Sequence, residues 1–180
     1  MKNEMKKVLL FAAVLLAGNN ALAQTPQEDF KRDITLSASN YVAYRGPQKQ
    51  LTPAPKGYKP FYLSHYGRHG SRYMIGKKAY DVPYFSLLKA KQEGKLTAKG
   101  EETLEKVKLI REDAKGRDGE LTPLGAIQHQ GITKRMMERF PEIFAGKTNI
   151  EARSTVVIRC ILSMENGLQQ MLRMNPQLNI

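Results

Sequence analysis

The stretch from Tyr58 to Arg72 constrains this chain more than any other. Phe61, Leu63 and the tyrosines give residues 58–66 β character, and the run empties into Tyr66-Gly67-Arg68-His69-Gly70-Ser71-Arg72. Such a strand delivers the polar, glycine-hinged loop at its carboxyl end, the place where open α/β sheets put their ligand sites. The loop's side chains specify the charge of the ligand. A guanidinium stays charged at any working pH and offers a planar fork of donors to phosphate oxygens, while a neutral imidazole beside it can attack phosphorus. His69, between Arg68 and Arg72, therefore reads as a nucleophile inside a phosphate trap, against the plainer reading of a loop histidine satisfied by backbone hydrogen bonds. The flanking glycines let the backbone approach an anion closely.

Helices dominate the chain beyond this loop. Asp81 and Pro83 open a short helix through Leu88 that Gly94 stops, and a second runs from about Lys99 to Ala114 with Leu104, Val107 and Ile110 on one face. Thr122 predicts an N-cap with Pro123 at the first helical position, for a helix reaching about Arg139 before Pro141. A short second strand, about Asn149 to Arg153, precedes a helix capped by Ser154 or Thr155, in which Val157, Ile161, Met164, Leu168 and Leu172 keep helical spacing. The two strands are expected to lie parallel, joined through helices, with both carboxyl ends on one crevice. Arg159, near the start of the last helix, opposes the macrodipole by roughly 0.3–1 kcal/mol unless an anion answers it. Its alternatives are phosphate contact, solvation, or a pair with Glu151. His65 on the strand and His129 on a helix read as packed or surface histidines, because neither has an arginine-rich setting. Tyr73, Lys77 and Lys78 lie just past the loop, where outer phosphates of a large substrate or plain solvation explain them equally.

At the N-terminus Lys2, Lys6 and Lys7 precede the apolar run Val8 to Ala17, and Ala21-Leu22-Ala23 forms a small-x-small cleavage site. The pattern predicts a secretory signal peptide over residues 1–23, since the run is too short to span a bilayer. The protein is thus expected in the periplasm or outside the cell, without stable membrane insertion. Residues 24–56, interrupted by Pro26, Pro47, Pro53 and Pro55, read as loop with one short helix, and residues 57–180 as the folded domain. The net charge of +12 falls to +10 once the signal's three lysines and Glu4 are removed. That excess favours polyanionic partners, yet the basic residues are dispersed and no nucleic-acid module is present, so phosphorylated small molecules fit better than nucleic acid. Cys160 is the only cysteine, which excludes an intrachain disulfide and a cysteine-built zinc site. It reads as a small buried helix residue.

Arg68-His69-Gly70-Ser71-Arg72 resembles the R-H-G-x-R signature of the histidine acid phosphatases. Leu121-Thr122-Pro123-Leu124-Gly125 resembles that family's L-T-x-x-G helix start, and Arg139-Phe140-Pro141-Glu142-Ile143-Phe144 its next motif, R-F-P-x-x-F. Ala152-Arg153-Ser154-Thr155 with Arg159, Cys160 and Ser163 resembles the segment bearing the third phosphate arginine, and its R-C-x-x-S form leans toward the multiple inositol polyphosphate phosphatase branch. The resemblance implies a three-layer α/β sandwich with a mostly parallel sheet, of the phosphoglycerate-mutase-like type. Phosphoglycerate-mutase-like transfer itself fits poorly with export and with R-C-x-x-S.

For mechanism the resemblance implies that His69 attacks phosphorus in line, forming a phosphohistidine, while Arg68, Arg72 and Arg159 bind the phosphate oxygens whose charge develops in the transition state. Three guanidiniums supply the positive field, so no metal or other cofactor is expected. The implied substrates are inositol polyphosphates of the phytate kind, with 2,3-bisphosphoglycerate or general phosphomonoesters as alternatives. In the family the leaving alkoxide takes its proton from a carboxylate of a His-Asp or His-Ala-Glu motif. Here the three histidines are followed by Tyr66, Gly70 and Gln130. With two readable strands and no such motif, the chain is expected to be the N-terminal portion of a histidine phosphatase, either an enzyme lacking its acid in this sequence or a phosphate-binding remnant.

Overall fold

The computed structural model describes residues 25–44, 46–47 and 52–180. The expected signal peptide, residues 1–23, lies outside the described residues. The chain divides into two units, residues 1–43 and 44–180. In the first, α1 (Pro26–Arg32) is held by a capping box: Thr25 Oγ1 accepts the Glu28 N–H, and the Glu28 carboxylate accepts the Thr25 N–H. Next comes a 3₁₀ helix over Ile34–Tyr41, started by Asp33, whose carboxylate accepts the Thr35 N–H.

The second unit contains two helix pairs. α2 (Lys78–Gln92) and α3 (Ala98–Asp113) form an antiparallel hairpin. Asp81 at the start of α2 meets Arg111 at the end of α3 at 2.6 Å, and Lys91 at the end of α2 meets Glu101 at the start of α3. The Arg111 guanidinium also lies 5.0 Å from the Tyr84 ring centroid and 5.2 Å from that of Phe85, which covers this hydrophobic face of α2 with a cation. Helix α2 begins a turn earlier than Asp81 and Pro83 suggested, because no capping side chain marks its start: Lys77 makes no cap bond.

The other pair is α4 (Pro123–Arg139) and α5 (Ile158–Met174). Their contacts ascend together. Gln130 Nε2 donates to Asn166 Oδ1, Thr133 Oγ1 lies against Gly167, and Met137 and Met171 share the core, so the helices run parallel with both N-termini at the same end. Met137, Phe144, Met171 and Leu178 form the buried cluster, with Leu63, Met136, Phe140, Ile143, Ile150 and Leu168 packed against it. The R-F-P-x-x-F segment is thus a packing device: it ends α4 and drops Phe140, Ile143 and Phe144 into that core.

The expected three-layer α/β sandwich is not what the chain forms. The described residues contain no sheet, only an antiparallel bridge between Arg72 and Leu121 and a parallel one between Asn149 and Asn179. Residues 58–66 and 149–153 do not pair with each other. The second segment engages residue 179 instead, through Ile150 N–H to Asn179 O at 2.8 Å and Asn179 N–H to Thr148 O at 3.0 Å. The physical reason is that aromatic β propensity describes fit to a pleated, half-buried surface, and residues 58–66 find no such surface: Phe61 is 95 % exposed and Tyr66 101 %. The expected cap of the last helix also moves. Ser154 turns its hydroxyl to the Thr155 carbonyl, and α5 begins after Val157 with no capping side chain.

Candidate functional site

The Arg-His loop is fastened to α4 by its cap. Thr122 Oγ1 accepts the Gly125 N–H at 3.1 Å, starting the helix, and its own hydroxyl and N–H both donate to the Ser71 carbonyl at 2.9 Å. Gln128, one turn further along, accepts the Ser71 N–H at 2.8 Å. Residues 71–74 then run antiparallel to 119–122, with Tyr73 N–H bonded to Glu120 O and Gly119 N–H to Met74 O. The loop crosses α4 at a glycine pair. A Cβ on Gly70 would lie 2.4 Å from the Gly125 carbonyl oxygen, and one on Gly125 would lie 2.2 Å from Ser71 O. The glycine of R-H-G and the glycine of L-T-P-L-G are therefore two sides of one backbone contact. Close approach is what Gly70 provides, but to α4 rather than to an anion.

On the α5 side, Ser163 Oγ accepts the Gly70 N–H at 3.0 Å and donates to the Arg159 carbonyl at 2.7 Å. Arg159 stands at the second helical position and lays Nη1 toward the Gly119 carbonyl, on the ladder that carries Arg72. Arg72 in turn donates from Nη1 to the Tyr73 carbonyl at 2.8 Å. Two of the expected phosphate ligands thus meet at one short ladder, while Arg68 is exposed and is engaged through its carbonyl. Glu151 does not answer Arg159, since it pairs with Arg153. Among the described residues Arg68, Arg72 and Arg159 have no acidic partner. The Nε–H groups of Arg72 and Arg159 and the Nε2 amide of Gln128 are buried without an acceptor. A buried donor left unmade costs about 1–3 kcal/mol, more for a charged group. All three orphans are donors, so the site is short of acceptors. The parallel helices add to the imbalance, because α4 and α5 both start at the loop and neither has an acidic residue in its first turn.

His69 is half-buried, and its Nδ1 lies 2.8 Å from the Gly70 carbonyl. A carbonyl only accepts, so Nδ1 carries the proton and the neutral ring's lone pair is on Nε2. That backbone bond, expected of an ordinary loop histidine, also sets the tautomer a nucleophile needs. His129 had no evident role in the sequence. Its Nε2 donates to the Arg68 carbonyl at 3.0 Å, and burial lowers its pKa from the ordinary 6.5, with His65 and His69 adding smaller effects in the same direction against the raising effect of the carbonyl bond. All three histidines of the chain therefore gather at this loop. His129 carries no signal by residue type, whereas Ser163 is visible in the sequence as the serine of R-C-x-x-S, one turn after Arg159, without a role. The Tyr73 side chain is already engaged: its hydroxyl donates to Asp113, Arg117 stacks 4.4 Å over its ring, and burial together with Asp113 raises its pKa above 10.0.

The glycine-crossed loop thus places a tautomer-set histidine near arginines that have no acidic partner among the described residues. No family model and no curated protein matches the chain. Among solved structures it is similar to the Bifidobacterium longum multiple inositol polyphosphate phosphatase in complex with inositol hexasulfate, at 25 % identity and a TM-score of 0.54 over 76 % of this chain. The match covers 30 % of that protein's chain, so this chain spans under a third of its length.

Proposed function

We propose that this chain belongs to an exported phosphomonoesterase acting on inositol polyphosphates through a phosphohistidine at His69. The observation that carries the reading is the pair of buried, unpartnered Nε–H groups of Arg72, on the 71–74 ladder, and of Arg159, whose Nη1 reaches that ladder at Gly119 O, with a nearby histidine whose Nδ1 is held by the Gly70 carbonyl. The likeness to an inositol polyphosphate phosphatase supports the substrate class. In the reaction the His69 Nε2 lone pair forms a bond to phosphorus as the ester P–O bond breaks. Arg68, Arg72 and Arg159 hold the nonbridging oxygens, and water then hydrolyses the N–P bond. The departing oxygen needs a proton.

No Asp or Glu among the described residues hydrogen-bonds or ion-pairs with His69 or the three arginines. That favours a second reading, in which the chain as given binds phosphate and turns esters over slowly. Loss of general acid catalysis forfeits roughly 10²–10⁴-fold on an alkyl ester and much less on an aryl ester. The test is hydrolysis of inositol hexakisphosphate and of para-nitrophenyl phosphate by the 180-residue chain, with alkaline-quench trapping of labelled phosphoenzyme, because the N–P bond of phosphohistidine is stable to alkali and labile to acid. Aryl turnover with a phosphoenzyme that disappears in His69→Ala supports the proposal. Phosphoenzyme persisting in His69→Ala overturns the nucleophile, and full alkyl-ester activity overturns the missing acid.

A further inference from the structure

We propose that Ser163 is a positioning residue that couples the two arginine-bearing elements of the anion site, so that Arg72 and Arg159 act on one anion. This role rests on the anion-site reading and deepens it, assigning a cause to the alignment of the two guanidiniums.

A serine hydroxyl has one proton and two lone pairs. Ser163 is 2 % exposed, so water does not compete for it. Its proton goes to the Arg159 carbonyl one helical turn back, which pins the rotamer and directs the lone pairs toward the loop, where one takes the Gly70 N–H. A single side chain therefore links the backbone that carries Arg159 to the amide after His69. The loop's other backbone fastenings come from α4 and the segment before it: Thr122 N–H, Thr122 Oγ1 and Gln128 Oε1 on Ser71, His129 Nε2 on the Arg68 carbonyl, and the 71–74 ladder with 119–122, while the Tyr73 side chain reaches Asp113 on α3. Among the described residues, Ser163 makes the one hydrogen bond between residues 67–73 and α5.

The asymmetry has a specific consequence. Without the Ser163 hydroxyl, Arg72 keeps its ladder and its α4 anchors, whereas Arg159 loses its tie to the loop and retains only the long 3.5 Å approach of Nη1 to Gly119 O. A residue that merely stabilised the fold would weaken both arginines' contribution together, or neither.

The experiment uses the full chain labelled with ¹⁵N, monitors the Nε–H resonances of Arg72 and Arg159, and titrates with inorganic phosphate. In the wild type both resonances shift along one curve. In Ser163→Ala the Arg159 midpoint moves to about tenfold higher phosphate, the effect of losing one hydrogen bond, while the Arg72 midpoint moves less. Ser163→Thr, whose hydroxyl can make the same i−4 bond, restores the joint curve. Ser163→Cys keeps the volume with a weak donor and shows the same separation, which secures the test if the alanine variant does not fold. Wild-type midpoints in both variants, whatever their melting temperatures, overturn the role of Ser163 while leaving the anion site standing. A wild-type chain whose arginine resonances ignore phosphate overturns the anion site and the proposal with it.

Discussion

At the scale of single residues, His129 shows how little of a site's support is visible in residue type. It sits on α4 with nothing beside it in sequence to suggest a role, yet it donates to the backbone of Arg68 and shares the loop with both other histidines. Its lowered pKa has a definite sign. A folded state that disfavours the protonated ring binds fewer protons than the unfolded chain between the lowered value and 6.5. Stability is therefore full above 6.5, declines as the pH falls below it, and levels off once the pH is under the folded value. His129→Gln keeps a side-chain donor for the Arg68 carbonyl and removes the titration. Urea midpoints of the wild type are expected to fall from pH 7.5 to 5 more steeply than those of the variant, and equal slopes would show that His129 is not the group responsible. The arginines and His69 were legible because their chemistry is written in their residue types. His129 was not, and Ser163 was visible only as a letter of R-C-x-x-S without a role, because a hydroxyl or an imidazole gains its role only from what folding places opposite it.

At the scale of elements, the helices were legible where a local rule settles them and misread where tertiary contact does. Helix α4 runs from Pro123 to Arg139 with Thr122 as its cap, as the Thr-Pro start and Pro141 beyond its end dictate. For α5 the apolar residues Val157, Ile161, Met164, Leu168 and Leu172 read as keeping helical spacing, and Leu168 does pack against the core. The residues buried are Ser163, Gly167 and Met171, while Leu172 is exposed. Small residues let α4 approach closely: a Cβ on Gly167 would stand 3.0 Å from Thr133 Oγ1. The crossing of the loop over α4 is tighter still, and it is testable by stability. Gly125→Ala places a methyl into the Ser71 carbonyl, and Gly70→Ala into the Gly125 carbonyl, so each is expected to cost about 1–3 kcal/mol. Because both act on one contact, the double variant should cost clearly less than the sum. Gly131→Ala is the control. Its Cβ meets only the movable tip of Arg135 at 3.3 Å, and filling a helix-interior glycine gains about 0.5–1 kcal/mol. Denaturant midpoints that rank Gly125→Ala with Gly131→Ala would contradict the close crossing.

At the scale of the molecule, the site and its scaffold have separable origins. The loop is held by α4, α5, the 71–74 ladder and the Tyr73 bond to Asp113 on α3, with no sheet beneath it among the described residues. The β character of residues 58–66 was readable, but a strand is a relation between two segments, and composition names only one of them. What that composition does produce is an uncovered aromatic strip: Tyr58 is 75 % exposed, Phe61 95 %, Tyr62 74 % and Tyr66 101 %. No backbone–backbone hydrogen bond among the described residues involves residues 59–70. Each such side chain gains roughly 1.5–3 kcal/mol when fully buried, and free backbone beside it offers a ladder to any other extended chain. The isolated protein is therefore expected to self-associate in a concentration-dependent way and to bind a hydrophobic dye. Replacing Tyr58 and Phe61 together by lysine puts charge on this edge and removes two of its aromatic surfaces. Neither side chain takes part in the bonds that fix residues 70–73, so sedimentation should shift toward the monomer while the phosphate midpoint of Arg72 and Arg159 stays where it was. A wild-type chain that sediments as a monomer at all concentrations and leaves the dye unbound would show the strip to be covered in solution. A change in the phosphate midpoint would show instead that the strip and the arginine loop are one cooperative structure.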